Sequence, residues 1–245
     1  MPLPVTPIPP RYLLALLAGT AGGALFTQLH SPLPWLIGSL LTCAAFNIRG
    51  AGLVSILPSR NLGQWVIGTA LGMYFTAETL ARLAWLWWPL VLGLAWSFLL
   101  GGLFGWSLRR FAGVDAPTAF FAGAIGGASE MAIQGERNGA KVETIAAVHT
   151  LRVMLVVLTV PFLYQWLDLH GSDASVIGRA EVVPSGLGVL VALTVASALA
   201  LRAVRWPNAW MIGPLLTTIA LTATGVLPSA LPQWVIAMGQ VVIGI

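Results

Sequence analysis

An all-α polytopic membrane protein with an inverted internal repeat is the fold class this sequence predicts, and three observations predict it. The first is apolar excess: 58% of the 245 residues are hydrophobic and 8% are charged, where soluble chains carry about a quarter charged residues. The second is charge spacing, which leaves uncharged runs at 12–29, 31–48, 61–77, 83–108, 116–129, 153–167 and 182–201, and from Trp206 onward. The third is an echo. Residues 32–50, PLPWLIGSLLTCAAFNIRG, return at 207–225 as PNAWMIGPLLTTIALTATG, nine of nineteen positions being identical at an offset of 175. After a one-residue adjustment Gly63-Gln64 matches Gly239-Gln240. Two copies of one apolar unit describe a duplicated membrane protein.

A hydrocarbon core of ~30 Å takes about 20 apolar residues to cross, and backbone groups in lipid have to be satisfied within the segment. The runs therefore predict helices, and they lack the alternation of a membrane barrel. Segment 11–29 comes first. It reads as a mature helix rather than a signal peptide, because Leu187–Ala203 matches it in the second copy. Segment 33–48 is short, opens with Pro32 and Pro34 and carries Gly38; its copy, 208–224, follows Pro207 and holds Gly213-Pro214. Short or Gly/Pro-interrupted segments at matching places in two halves point to a transporter-type site. Pro34, Gly38, Gly213 and Pro214 are therefore broken-helix candidates, the alternative being a Pro that starts each helix and a Gly that lets helices approach. Segment 60–76 carries the Gly-Gln motif. Segment 83–108 begins in Trp85, Trp87 and Trp88 beside Arg82, as an interfacial aromatic belt does.

Segment 116–134, APTAFFAGAIGGASEMAIQ, has Gly126-Gly127 at its centre and Glu130 three residues later. It reads as a re-entrant or broken helix, and loop charges arbitrate. If it crosses, six cations lie inside (Arg11, Arg49, Arg60, Arg109, Arg110, Arg179) against five outside. If it dips in and returns, Arg137, Lys141, Arg202 and Arg205 move inside, Arg179 moves out to join Arg82, and the count is nine against two. Cytoplasmic loops concentrate Lys and Arg, so the second count predicts inverted repeats of about five spans each and a cytoplasmic N-terminus. Segments 144–168, 184–204, 208–224 and 231–245 complete the set. The domains expected are a first repeat at 1–168, an extracytoplasmic linker at 169–183 and a second repeat at 184–245. The second repeat is incomplete, with no counterpart of 83–168, so the chain reads as C-terminally truncated.

The polar residues suggest where chemistry would sit. Glu130 is the one carboxylate embedded between apolar runs, and a charge near mid-membrane costs roughly 2.5–3.5 kcal/mol or more, so it needs a partner, a proton or a cavity. Gly126, Gly127 and Ser129 could expose backbone and hydroxyl groups at a helix break beside it, suited to a cation, a proton or a small polar solute. The bland alternative is a solvated cluster of Glu130, Glu136 and Arg137 at a cytoplasmic mouth. His149 and Arg152 are three apart, so they share a helix face and point at one neighbour. Glu130–Arg152 is the economical ion pair, whether anchoring or transporting, and His149 titrates near neutrality as a relay would.

Composition also excludes. The net charge of +4 comes from twelve Lys and Arg scattered between spans, not from a basic module, so no direct nucleic-acid contact is expected. Cys43 is the only cysteine and the histidines number three, which gives no metal-ligand spacing. No nucleophile elbow, P-loop or dinucleotide fingerprint occurs. Neither an enzyme nor a cofactor is expected.

PWLIGSLLT with its later echo, GQWVIGTALG, and GGASEM followed by HTLRVMLVVLTVP resemble the membrane AbrB family of bacteria over nearly the whole chain. Where that family usually has Pro-Gly-Gly, this chain has Ile125-Gly126-Gly127. The resemblance implies an internally duplicated inner-membrane protein of a family labelled ammonia monooxygenase or regulator of gene expression. It does not extend to the soluble DNA-binding regulator that shares the name. The monooxygenase label lacks metal ligands here, and regulation would have to be indirect. Two functions remain: a secondary carrier of a small molecule or ion, and a non-transporting membrane sensor. The partners implied are the lipid bilayer, the solute and, as a homodimer, a second copy of the chain.

Overall fold

The computed structural model describes residues 9–168 and 181–245, and every regular element among them is helical. Most of the expected linker lies outside the described residues. The chain divides into two compact units, one of residues 1–81 with 161–245 and one of residues 82–160.

The first unit begins with α1 (Pro10–Gln28) and α2 (Pro34–Ile48). Each has proline in its first turn, where the missing N–H is an orphan anyway. Then come α3 (Leu57–Gly72) and, after residue 183, α9 (Pro184–Ala203), α10 (Ala209–Ala223) and α11 (Gln233–Gly244). The duplicated sequence carries a duplicated backbone. His30 and Arg205, Leu33 and Asn208, and Gly50 and Gly225 are each 175 residues apart, and all six have left-handed φ, between 46° and 84°. Left-handed backbone is unfavourable for both residue types and neither Leu33 nor Asn208 makes a capping side-chain hydrogen bond, yet both copies turn into their second helix through it.

Glycines set the packing. A Cβ on Gly22 would collide with Thr42 Oγ1 and the Gly38 carbonyl, so α1 and α2 meet backbone to backbone. In the second copy a Cβ on Gly213 would stand 2.8 Å from both the Cα and the N of Ala198, closing α10 on α9 the same way. The third helices cross over. Gly68 lies against the Met211 carbonyl, while Gly244 lies against the Leu36 carbonyl. So α3 rests on α10 and α11 on α2, through equivalent residues. Along the α3–α11 contact Gly63 meets Val242 and Ile243, whereas Gly239 meets Val66; advancing along one helix means retreating along the other, and the two run antiparallel. The core beneath holds Trp65, Val66, Ala70, Met73, Leu190 and Leu231, with Trp65 Nε1 donating to Thr194 Oγ1 at 3.0 Å.

Two expectations need correcting. Gly38, Gly213 and Pro214 do not break their helices, which run through them without interruption, and Pro34 opens α2 as its first residue. The interruptions fall just before each helix, at Leu33 and Asn208, and the two glycines serve close approach instead. The expected segment 83–108 is also two helices, α4 (Ala77–Trp85), with no buried residue, and α5 (Trp87–Phe111). Uncharged runs locate long apolar helices and miss a short one bearing Glu78 and Arg82.

In the second unit α5 is followed by α6 (Ala116–Gly123), α7 (Ala128–Arg137) and the beginning of α8 (Val142–Trp166). Gly101 touches the Gly123 carbonyl and Gly105 the Ala119 carbonyl, so α6 runs antiparallel to α5. Among the described residues three helices, α5, α8 and α9, are long and apolar enough to cross a membrane. Large side chains of α5 such as Leu92, Trp96 and Phe98 are exposed along its length.

Candidate functional site

Segment 116–134 is two helices joined by four irregular residues, 124–127, and the chain reverses there. Helices of 8 and 10 residues laid end to end would carry Lys141 more than ~25 Å from Thr118 at 1.5 Å per residue. Instead Lys141 N donates to Thr118 Oγ1 at 2.8 Å. The pair α6–α7 is a hairpin with its tip at the break.

Its base is a clamp. Asp115 is the N-cap of α6: its Oδ2 accepts from Thr118 N at 3.1 Å and from Thr118 Oγ1 at 2.7 Å. Those two bonds hold the Asp115 carboxyl below the usual carboxylate range, with the Lys141 charge adding to them. Thr118 is fully buried and is satisfied on both sides, donating to the cap and accepting from the chain that returns. Further up, Gly135 packs against Ile145 of α8.

The tip is held from α8. The last carbonyls of a helix lack partners and carry its negative dipole end. His149 Nε2 lies 3.0 Å from the Phe121 carbonyl, and Arg152 Nη1 donates to the Ala124 carbonyl at 3.2 Å. Arg152 Nη2 lies 3.0 Å from His149 Nδ1. A carbonyl can only accept, so Nε2 carries the proton, and guanidinium can only donate, so Nδ1 is the acceptor. His149, 1% exposed, is thus held at both ring nitrogens.

The expected face sharing of His149 and Arg152 is present, but their neighbour is backbone. The Glu130–Arg152 pair is not formed, because the guanidinium is taken up by the Ala124 carbonyl and His149. Glu130 is exposed on the first turn of α7, where a carboxylate favours the positive dipole end. Gly127 is the α7 N-cap with φ −66°, and Gly126 adjoins the Met131 side chain. Neither glycine of the break is in left-handed backbone. The Ser129 side chain lies outside the described atoms. Pro34, Gly38, Gly213 and Pro214 belong to the first unit.

Sequence reasoning missed the clamp at the base. Its signal was present in Asp115-Ala116-Pro117-Thr118, a capping residue followed by a first-turn proline. Along the outer side of the hairpin a groove of about 540 Å³ runs between α5 and α6, from Phe98 and Ile125 at the break to Arg109 and Ala116 at the base. No cluster of three or more metal-ligating side chains occurs among the described residues.

Comparison with known proteins finds relatives of this sequence. The family model described as "Transition state regulatory protein AbrB" matches residues 35–245. A Bacillus subtilis (strain 168) protein described as "Uncharacterized protein YhjN" is 28% identical over 215 residues, 80% of this chain and 56% of its own length. An Escherichia coli (strain K12) protein described as "Putative regulator AbrB" is 25% identical over 224 residues, 89% of this chain and 64% of its own. The chain thus spans between half and two thirds of the length of these relatives. No solved structure matches it.

Proposed function

This chain belongs to the AbrB family, and from that premise we propose that it is a multi-pass bacterial inner-membrane carrier of a small solute, with its solute site at the α6–α7 break. The observation that carries this is the reversal at 124–127, held at its base by Asp115, Thr118 and Lys141 and at its tip by His149 and Arg152. Within a bilayer, irregular backbone is tolerated only where protein buries it or where it lines an aqueous cavity, and carriers place such breaks at their sites. Arg152 has a structural task. Glu130 is left exposed at the tip, where it can take a proton or meet a solute.

Inverted repeats fit the same proposal. Supporting them are the paired left-handed residues, the antiparallel α3 and α11, and the nine-to-two loop charge under a re-entrant hairpin. A two-fold axis in the membrane plane relates such copies. The N-terminus, loop 112–115 and loop 138–141 are then cytoplasmic. No enzymatic step enters this proposal.

The relative described as a regulator favours a second reading, a sensor that moves no solute. Flux into proteoliposomes, screened with ammonium and small organic solutes, separates the two. Wild type is expected to move a solute, and Glu130→Gln to insert normally while losing at least tenfold in rate. Normal flux in Glu130→Gln removes Glu130 from the mechanism; a wild type without flux but with altered gene expression favours the sensor.

A further inference from the structure

The first unit contains a second feature that the hairpin does not use. A partly enclosed cavity of about 180 Å³ lies where the end of α3, the end of α10 and one face of α11 meet. Gln233, Ile236 and Gln240 line it from α11; at spacings of three and four they form one stripe. Gln240 stands about 10 Å inward from Gln233 at 1.5 Å per residue. Met73, Leu227 and Leu231 supply apolar wall, and no lining residue is charged. Residues 226–232 are tied down, since Ala230 N donates to the Glu181 carbonyl at 3.2 Å and Ser229 Oγ accepts from Val183 N at 3.0 Å.

The half-buried Gln240 has no hydrogen-bond partner among the described residues. Thr222, also in the wall, has a buried hydroxyl without a partner. Leaving a buried hydroxyl unpaired costs roughly 1–3 kcal/mol, so native structures satisfy such groups with protein, water or ligand; the Gln240 carboxamide is accessible and free to bond to whatever occupies the cavity. A carboxamide offers donors and acceptors side by side, and its complement is another uncharged group with the same pair. An ion would enter an apolar wall with no counter-charge. The volume equals about six waters at ~30 Å³ each.

We propose that this cavity binds a small uncharged solute of the carboxamide or urea class, with Gln240 as its hydrogen-bonding anchor. The site is independent of the hairpin and gives the polar residue of the Gly-Gln motif a task in this copy. Acetamide is the probe, with acetate and methylammonium as charged controls of similar size, read by saturation-transfer NMR on the full chain in nanodiscs. Acetamide is expected to give a signal that falls at least fivefold in Gln240→Leu and in the cavity-filling Ala230→Phe. It should persist in Glu130→Gln and in Gln64→Leu, whose glutamine does not line the cavity. Equal acetamide signals in wild type and Gln240→Leu, no wild-type signal, an equal loss in Gln64→Leu, or charged probes binding as well as acetamide would each overturn the proposal.

Discussion

Gly38→Val is expected to abolish folding of the first unit. A Cβ at this position would meet the Gly22 carbonyl, with Gly22 C at 2.6 Å and Gly23 Cα at 2.8 Å. All three obstacles are backbone, so no flexible side chain can yield, and α1 and α2 would have to separate along their length. Overpacking a tight contact costs about 1–3 kcal/mol and sometimes more; here two glycine-lined helices lose their whole approach, and total stability is about 5–15 kcal/mol. Gly213→Val meets the Ala198 backbone at 2.8 Å and should fail in the same way. Gly93→Val is the control, since nothing stands within 4 Å of its Cβ. Size-exclusion profiles of detergent-solubilised protein should show a monodisperse peak for wild type and Gly93→Val, and aggregate or no protein for the other two. A sharp, thermally stable peak from Gly38→Val would mean that the α1–α2 contact is not as close as described.

Arg152→Leu should cost about 2–3 kcal/mol in the hairpin, because it strips a charge-assisted bond from the Ala124 carbonyl and leaves His149 Nδ1 unpaired. Arg152→Lys keeps the charge but offers a compact ammonium in place of a fork that reaches two acceptors, so it should recover only part of the loss. Limited proteolysis within 124–127 reads the tip directly: cleavage is expected to rise strongly in Arg152→Leu and moderately in Arg152→Lys. Solute flux should disappear in the first although the chain still inserts. Unchanged cleavage in Arg152→Leu would show that the tip is held by something other than α8.

How much of this was legible in the residues depends on the kind of interaction. Repetition is visible in letters, so Leu33 and Asn208 could be paired before their shared left-handed φ was known. The break at Gly126-Gly127 was visible as well, because two glycines beside a carboxylate make a poor lipid-facing helix. The partner of Arg152 was not. Side-chain reading looks for an opposite charge and finds Glu130, but the strongest nearby acceptors are the orphan carbonyls of α6, which every residue carries alike. Proline left two readings open for a related reason. It marks where a helix starts as readily as where one breaks, and only the neighbouring backbone decides. Thr118 escaped notice because it matters through Lys141 N, a contact set by the reversal itself.

That reversal is the central claim, and cysteine accessibility tests it most directly. In a Cys43→Ala background, single cysteines at Ala112 and Asn138 flank the hairpin at the two ends of its base, both at exposed positions. A membrane-impermeant maleimide should label both in inside-out vesicles and neither in intact spheroplasts, because α6 and α7 enter and leave on the cytoplasmic face. Labelling of Ala112→Cys from one face and Asn138→Cys from the other would make 116–134 a crossing segment. The hairpin, the inverted repeat and the site built on them would then fall together.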